Sequence, residues 1–382
     1  MKNVAESNGY QFTLDPKSAD LIVFNTCAFK KKQEDLCVKK IKKYEDIKKD
    51  GAEIVVCGCL VDINRERLDN VFNGTSFGPT QLKTFYDVID HPTPETVEEA
   101  HHITREISDS EMFGTRAFIE KIYAVKDFFK RKFHIRILPN FNLFDYIGDE
   151  NTLYVRISRG CLNQCGYCAI RYAQGKLQSR PADTILKTVE EGIAEGYDKI
   201  FLIGTNTSHY GKDIGSSFFD LLEEILKIEG DYKIIVHNFE PFGMLEYPER
   251  FIELFSSPKI LSFYCPINSG SQHVLDRMRR GYKIERVIDL LGKLKETNPK
   301  ILIRSEFIVG YPGERWKDFW RTVSVCMRFK FDQIDLHCYS PRPNIYSNTL
   351  DKQVALPIRL SRLILIHLFV FFKVSIRKLR PV

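Results

Sequence analysis

The sequence predicts an α/β protein: an N-terminal doubly wound α/β unit followed by a partial (β/α)6 barrel of TIM-like design. Three observations carry this reading. From Leu153 to about Pro341, short apolar runs alternate with longer amphipathic stretches six times, the order that builds a parallel sheet with crossover helices. Residues 1 to about 90 repeat the alternation on a smaller scale. Cysteines collect just after apolar runs in both regions, at the carboxyl ends of strands, where such sheets gather their chemistry.

Leu21-Ile22-Val23-Phe24-Asn25 suits a buried parallel strand. A helical stretch from about Lys31 to Lys49 follows, with Leu36, Val38, Ile41, Tyr44 and Ile47 near helical spacing. Glu53-Ile54-Val55-Val56-Cys57 is the second strand, giving β-α-β order with a right-handed crossover. Both strands end on cysteine, at Asn25-Thr26-Cys27 and Gly58-Cys59. These thiols either face a ligand crevice or pack as the small apolar groups cysteines often are. The helix is rich in lysine but carries interleaved acids, which reads as a solvated face, with RNA phosphate contact as the alternative.

His91-Pro92-Thr93-Pro94 marks a linker, residues 115–133 read as a helix with an apolar stripe, and Asp145 to Asn151 reads as a hinge. The expected organisation is therefore 1–90 α/β domain, 91–150 linker with helix, 151–345 barrel and 346–382 helical tail. Barrel strands are expected at Leu153–Ser158, Lys199–Ile203, Lys233–His237, Ile260–Tyr264, Ile301–Val309 and Gln333–Cys338. Helices are expected near 183–195, 217–228, 247–256, 271–279, 284–296 and 315–329. The apolar run Leu363–Phe372, bounded by Lys373 and holding His367, falls short of the ~20 residues of a membrane span. It reads as a core-packing helix, with an interfacial anchor as the alternative.

The 382 residues give room for two or three domains, and 43% hydrophobic with 28% charged residues excludes a disordered chain. A net charge of +6 permits a polyanionic partner without requiring one. Ten cysteines behind an N-terminus without a charged and apolar leader pattern point to a reducing, cytoplasmic setting. Arg277, Arg279, Arg280 and Lys283 form a basic cluster that reads either as an RNA-backbone grip or as a solvated turn.

The most informative stretch is Arg159-Gly160-Cys161-Leu162-Asn163-Gln164-Cys165-Gly166-Tyr167-Cys168. A structural zinc site closes with four ligands, usually as paired motifs, and no partner pair of suitable spacing is present. Three thiolates at this spacing can wrap one face of an iron–sulfur cluster. A cubic [4Fe–4S] cluster normally takes four cysteines, so three leave one iron open to another ligand.

This stretch resembles the signature loop of the radical S-adenosylmethionine (SAM) superfamily. The surroundings, Tyr167-Cys168-Ala169-Ile170-Arg171 and Gly175-Lys176-Leu177-Gln178-Ser179-Arg180-Pro181, resemble its methylthiotransferase branch. The resemblance implies that Cys161, Cys165 and Cys168 hold a [4Fe–4S] cluster whose fourth iron is chelated by SAM, with Tyr167 beside the adenine. Gly204 and Asn206, in the segment after the second barrel strand, match positions that meet the methionyl part of SAM. In the fifth strand the apolar centre and Gly310 match the adenine-packing segment, and Arg304 and Glu306 are candidates for polar contacts to SAM or substrate.

Asn25-Thr26-Cys27-Ala28-Phe29 and Gly58-Cys59-Leu60 resemble the family's N-terminal domain, where three cysteines hold a second [4Fe–4S] cluster that handles sulfur. Cys27 and Cys59 match two of them. Met1 begins after the segment that carries the first, and Cys37 and Cys57 are possible substitutes. Relatives also append an RNA-binding β-barrel, for which the tail is too short. The implied activity is insertion of a methylthio group into a C–H bond, of the modified adenosine at position 37 of tRNA or of a ribosomal-protein aspartate. A flavodoxin or ferredoxin would supply electrons. A radical SAM enzyme without sulfur transfer, and a non-catalytic cluster-containing RNA-binding protein, are the remaining alternatives.

Overall fold

The computed structural model describes residues 1–90 and 151–379. The linker and the helix expected within 91–150 lie outside these residues.

The N-terminal unit is a three-stranded sheet of β1 (Leu21–Thr26), β2 (Glu53–Gly58) and β3 (Ser76–Phe77), in that spatial order and all parallel. Alternate residues of β2 face opposite sides, so the strand is covered twice. On one side Ile54 and Val56 pack with Ile41 of helix α2, which the sequence places well at Lys31–Ile47. On the other, Val55, Cys57 and Phe77 pack with residues of α1 (Lys2–Ser7) and α5 (Lys83–Val88). Two short helices, α3 (Cys59–Ile63) and α4 (Arg65–Asp69), follow β2 directly. Helix α2 starts on Lys30 without a side-chain cap of its own. Its first N–H instead donates to the Ser340 hydroxyl at 3.2 Å, tying the helix start to the barrel.

The barrel is a six-stranded parallel sheet. Its strands are β4 (Thr152–Arg156), β7 (Lys199–Ile203), β8 (Lys233–Val236), β9 (Ile260–Asn268), β10 (Leu302–Val309) and β11 (Gln333–Cys338). They lie side by side in chain order, with β4 and β11 as the two edges, so the barrel is open. The first expected strand ends early. Ser158–Arg159 (β5) leaves the sheet and pairs antiparallel with Gln178–Ser179 (β6) beyond the short helix α6 (Ile170–Gln174). The fourth runs four residues past its expected end. Pro266 inside it has no N–H to donate, and the register against β10 shifts at that point, which lets the strand continue.

The intervening helices are α7 (Ala182–Ala194), α8 (Phe218–Lys227), α9 (Pro241–Glu246), α10 (Pro248–Phe255), α11 (Gln272–Arg277), α12 (Ile284–Thr297) and α13 (Trp316–Arg328). They close a core in which Phe218, Phe239, Phe251 and Phe255 surround one another between helices and sheet. The tail forms α14 (Leu356–Leu379), which buries Ile366 fully in this core. Among the described residues no helix is long and apolar enough to cross a membrane.

The two sheets are joined by an apolar and a polar contact. Leu60, Val61 and Ile63 of α3 pack with Ala169 and Ala173 around α6 and with Ile345. Beside them, buried Glu34 of α2 accepts from Asn64 at 2.8 Å and Arg67 at 2.5 Å, and meets the Arg342 guanidinium from the barrel.

Candidate functional site

A cavity of about 820 Å³ opens where the carboxyl ends of both sheets face each other. Cys161, Cys165 and Cys168 line it from the loop after β4, and Cys27, Cys57 and Cys59 line it from the ends of β1 and β2. The loop can take this course because Gly160 has φ of +75°, and a Cβ there would lie 1.9 Å from the Lys176 carbonyl. Gly58 plays the same part at the end of β2, with φ of +97° and the Thr26 carbonyl 2.4 Å from where a Cβ would be.

Each of the three loop thiols is met by N–H donors. Cys161 Sγ accepts from the Asn163 amide at 3.4 Å and lies 3.8 Å from the Asn206 side-chain amide. Cys165 Sγ accepts from Arg280 Nη1 at 3.1 Å. Cys168 is bonded by backbone N–H groups of Ile170 and Arg171 at the start of α6. Burial, and then the neighbouring Cys165, push the Cys168 thiol up to about 11, so a free thiol is favoured unless a cation is bound. Burial holds the His209 imidazole down to about 4. It is therefore neutral near pH 7 and can accept at Nδ1 from the Leu162 amide at 3.3 Å.

The donor set fits an iron–sulfur cluster better than a single ion. Among the described residues no three Cys, His, Asp or Glu side chains converge closely enough to hold one metal ion. A mononuclear site needs all its sulfurs about 2.3 Å from one centre, whereas a cubic cluster seats each thiolate on a different iron. Three separated sulfurs, each hydrogen-bonded and facing one cavity, match the second arrangement.

Of the six expected SAM-contact residues, Tyr167, Gly204, Asn206, Arg304 and Glu306 line the same cavity. Gly310 does not: Arg359 of α14 fills the space over its α-carbon, with Cγ 2.3 Å from where a Cβ would be. Asn206 is committed within its own loop. Its Oδ1 accepts from the Ser208 amide and hydroxyl, at 3.2 and 2.9 Å, and its Nδ2 lies 3.2 Å from His209 Nδ1. Gly204 allows a close approach, since a Cβ there would meet the Ser158 hydroxyl at 2.9 Å.

Cys27 and Cys59 line the same cavity, and Cys59 Sγ accepts from Gln174 of α6 at 3.8 Å. The two possible substitutes differ. Cys37 sits behind Cys27, accepting its amide at 3.4 Å. Cys57 is buried and reaches the cavity wall beside Met1, where burial pushes its thiol up to about 12.

A polar chain along the cavity wall links Glu306 to residues that the sequence reading did not anticipate. Lys30, three residues after Cys27, lies 2.9 Å from His337 Nδ1, and His337 Nε2 lies 3.5 Å from Glu306. Glu306 also accepts from the Tyr264 hydroxyl at 2.6 Å, and Arg304 pairs with Asp335 at 2.9 Å. Burial alone would raise the Glu306 carboxyl, but hydrogen bonding and charge from His337, with Tyr264 and Lys30, hold it below its usual range. Polar residues recurring inside apolar strands were the available signal. Arg280 was also misjudged as part of a surface cluster. It is 5% exposed, being turned inward onto Cys165.

Residues 155–326 match the radical SAM superfamily, and residues 1–77 match an uncharacterized protein family, UPF0004. Barrel and cysteine loop together thus define the class as a radical SAM enzyme. Similar curated proteins include "Probable threonylcarbamoyladenosine tRNA methylthiotransferase" of Pyrococcus abyssi, 30% identical over 88% of this chain and 71% of the relative. Another is "tRNA-2-methylthio-N(6)-dimethylallyladenosine synthase" of Helicobacter pylori (strain Shi470), 32% identical over 93% of this chain and 75% of the relative. The chain belongs to the radical SAM methylthiotransferase family.

Among solved structures, the radical S-adenosylmethionine methyltransferase TsrM from Kitasatospora setae aligns with a TM-score of 0.57 at 13% identity, covering 91% of this chain and 65% of that one. The cobalamin-dependent radical enzyme OxsB aligns with a TM-score of 0.51 at 14% identity, covering 97% of this chain and 49% of that one. At these identities the likeness concerns the fold alone.

Proposed function

We propose that this chain inserts a methylthio group into a C–H bond of the N6-modified adenosine beside a tRNA anticodon. In this reading Cys161, Cys165 and Cys168 hold a [4Fe–4S] cluster that binds SAM, and Cys27 and Cys59 belong to a second [4Fe–4S] cluster that presents sulfur. Residues 1–90 form the sulfur-handling domain and residues 151–345 the radical-generating barrel. One observation carries the reading: both cysteine sets open into the same cavity, so a single substrate carbon can be reached from either side.

The bound cluster and SAM supply reductive radical chemistry capable of removing an unactivated hydrogen. The chain's own residues confine and aim it. The N–H donors of Asn163, Arg280, Ile170 and Arg171 hold the three thiolates in place. Tyr167 walls the cavity beside the loop, where the carboxyl ends of the two sheets face each other. The Lys30–His337–Glu306–Tyr264 chain presents a fixed carboxylate and imidazole to a polar base.

The tRNA substrate is supported by the names of the relatives and by the lining charge. Arg156, Arg159 and Arg171 line the cavity in addition to the paired Arg280 and Arg304, which suits a phosphate-bearing ligand. A low-potential flavodoxin or ferredoxin is the proposed electron source.

The test is anaerobic reconstitution followed by incubation with SAM, sulfide, a reductant and tRNA that carries the N6-modified adenosine without a methylthio group. About eight irons per chain are expected for two clusters, with methylthioadenosine appearing in digested tRNA and absent for Cys161→Ala. About four irons, or a methylthiolated ribosomal-protein aspartate with unchanged tRNA, would overturn the proposal.

A further inference from the structure

Among the described residues, Arg280 is the charged side chain that hydrogen-bonds a cysteine sulfur of the Cys161–Cys168 loop. It follows α11 and turns inward. Nη1 donates to Cys165 Sγ at 3.1 Å, while Nη2 donates to the Pro266 carbonyl at 2.9 Å and pairs with Glu240 at 3.0 Å. Arg280 and Glu240 are 5% and 4% exposed. The guanidinium also lies over the Tyr282 ring at 5.2 Å, and the Tyr282 hydroxyl donates to the Ile267 carbonyl, which fixes that ring. Cys161 and Cys168 receive neutral amides instead. A buried ion pair adds little stability over an apolar replacement of equal volume. Its placement against one thiol of three therefore asks for an electrostatic explanation.

We propose that Arg280, oriented by Glu240, is a positioning residue that raises the reduction potential of the cluster held by Cys161, Cys165 and Cys168. This rests on the reading that those three cysteines hold a cluster. Reduction adds one electron and makes or breaks no bond at this residue. A cationic N–H···S donor stabilises the more negative state more strongly, so the cluster accepts an electron more readily with Arg280 in place. Glu240 works in the opposite sense, partly neutralising the guanidinium while fixing its direction.

The test is an EPR-monitored redox titration of the full chain, reconstituted anaerobically and reduced with dithionite through mediators, without SAM. The signal that changes when SAM is later added identifies the cluster concerned. Arg280→Gln should make one-electron reduction at least tenfold less favourable, a downward shift of about 59 mV or more. Glu240→Gln should shift the potential upward, and Arg280→Lys should fall between wild type and Arg280→Gln. A structural role alone would lower iron content without opposite shifts.

If Arg280→Gln fails to take up iron, the Lys and Glu240 variants decide the matter. Unmoved potentials at full iron content, or downward shifts in both the Arg280 and Glu240 variants, overturn the inference while leaving the cluster reading intact. Weaker SAM binding with an unmoved potential also overturns it and assigns Arg280 to the ligand. A wild-type chain with no SAM-responsive signal overturns the cluster reading itself.

Discussion

Replacing Glu34 should loosen the N-terminal unit from the barrel. Glu34 is 1% exposed and Arg342 is 3% exposed, and they meet across the junction between the two sheets. Asn64 donates to the same carboxylate at 2.8 Å and Arg67 at 2.5 Å. In Glu34→Ala, Arg67 is 31% exposed on its side chain and already reaches Asp35, so it loses little. Among the described residues Arg342 has no second carboxylate partner, so it is left as an uncompensated buried charge, which costs about 3–5 kcal/mol.

Asn64 loses a partner as well, worth about 1–3 kcal/mol in isolation but not additive with the first loss. The expected destabilisation is therefore about 3–5 kcal/mol, concentrated at the junction. Denaturant unfolding should show an earlier first transition, and limited proteolysis should cut the N-terminal unit at lower denaturant than in wild type. The double variant Glu34→Leu with Arg342→Met removes both charges and should be less destabilised than Glu34→Ala alone. A Glu34→Ala protein within about 1 kcal/mol of wild type, or a double variant worse than the single one, would refute the reasoning.

Gly160→Ala should cost about 1–2 kcal/mol for the left-handed backbone alone. The collision with the Lys176 carbonyl adds to this, so reconstituted iron content should fall. Ile366→Ala should cost about 2–5 kcal/mol by chemical denaturation, because Ile366 of α14 is fully buried in the barrel core. Burial would raise the Asp318 carboxyl, but hydrogen bonds from Arg315 and Ser271 outweigh it and hold it at about 2. Its contribution should be complete above the ordinary carboxylate range near pH 4 and lost as pH falls through about 2. Asp318→Asn should be less stable than wild type at pH 7, with the gap closing in acid unfolding curves.

The six barrel strands and their helices were legible because each strand is a short, largely apolar or alternating run and each helix carries an apolar stripe, signals that neighbouring residues create among themselves. The strand ends at Arg156 and Asn268 were not. The first depends on a ribbon partner near Gln178, and the second on a register shift against β10. Cys161, Cys165 and Cys168 stood out by spacing, and Cys27 and Cys59 by their position after strands. Gly310 shows the limit: it was expected in the adenine-packing segment, but which atoms occupy the space above it depended on where α14 packs.

What the sequence determined by itself was therefore local: element types, their order, and the loop that gathers three thiols. Only the tertiary structure decided which distant groups meet. It turned Arg280 inward onto Cys165, set Lys30 against His337 across 307 positions, and paired Glu34 with Arg342. The physical reason is range. Periodicity and turn chemistry act over a few residues, whereas burial of a charge is permitted only where folding happens to bring its partner.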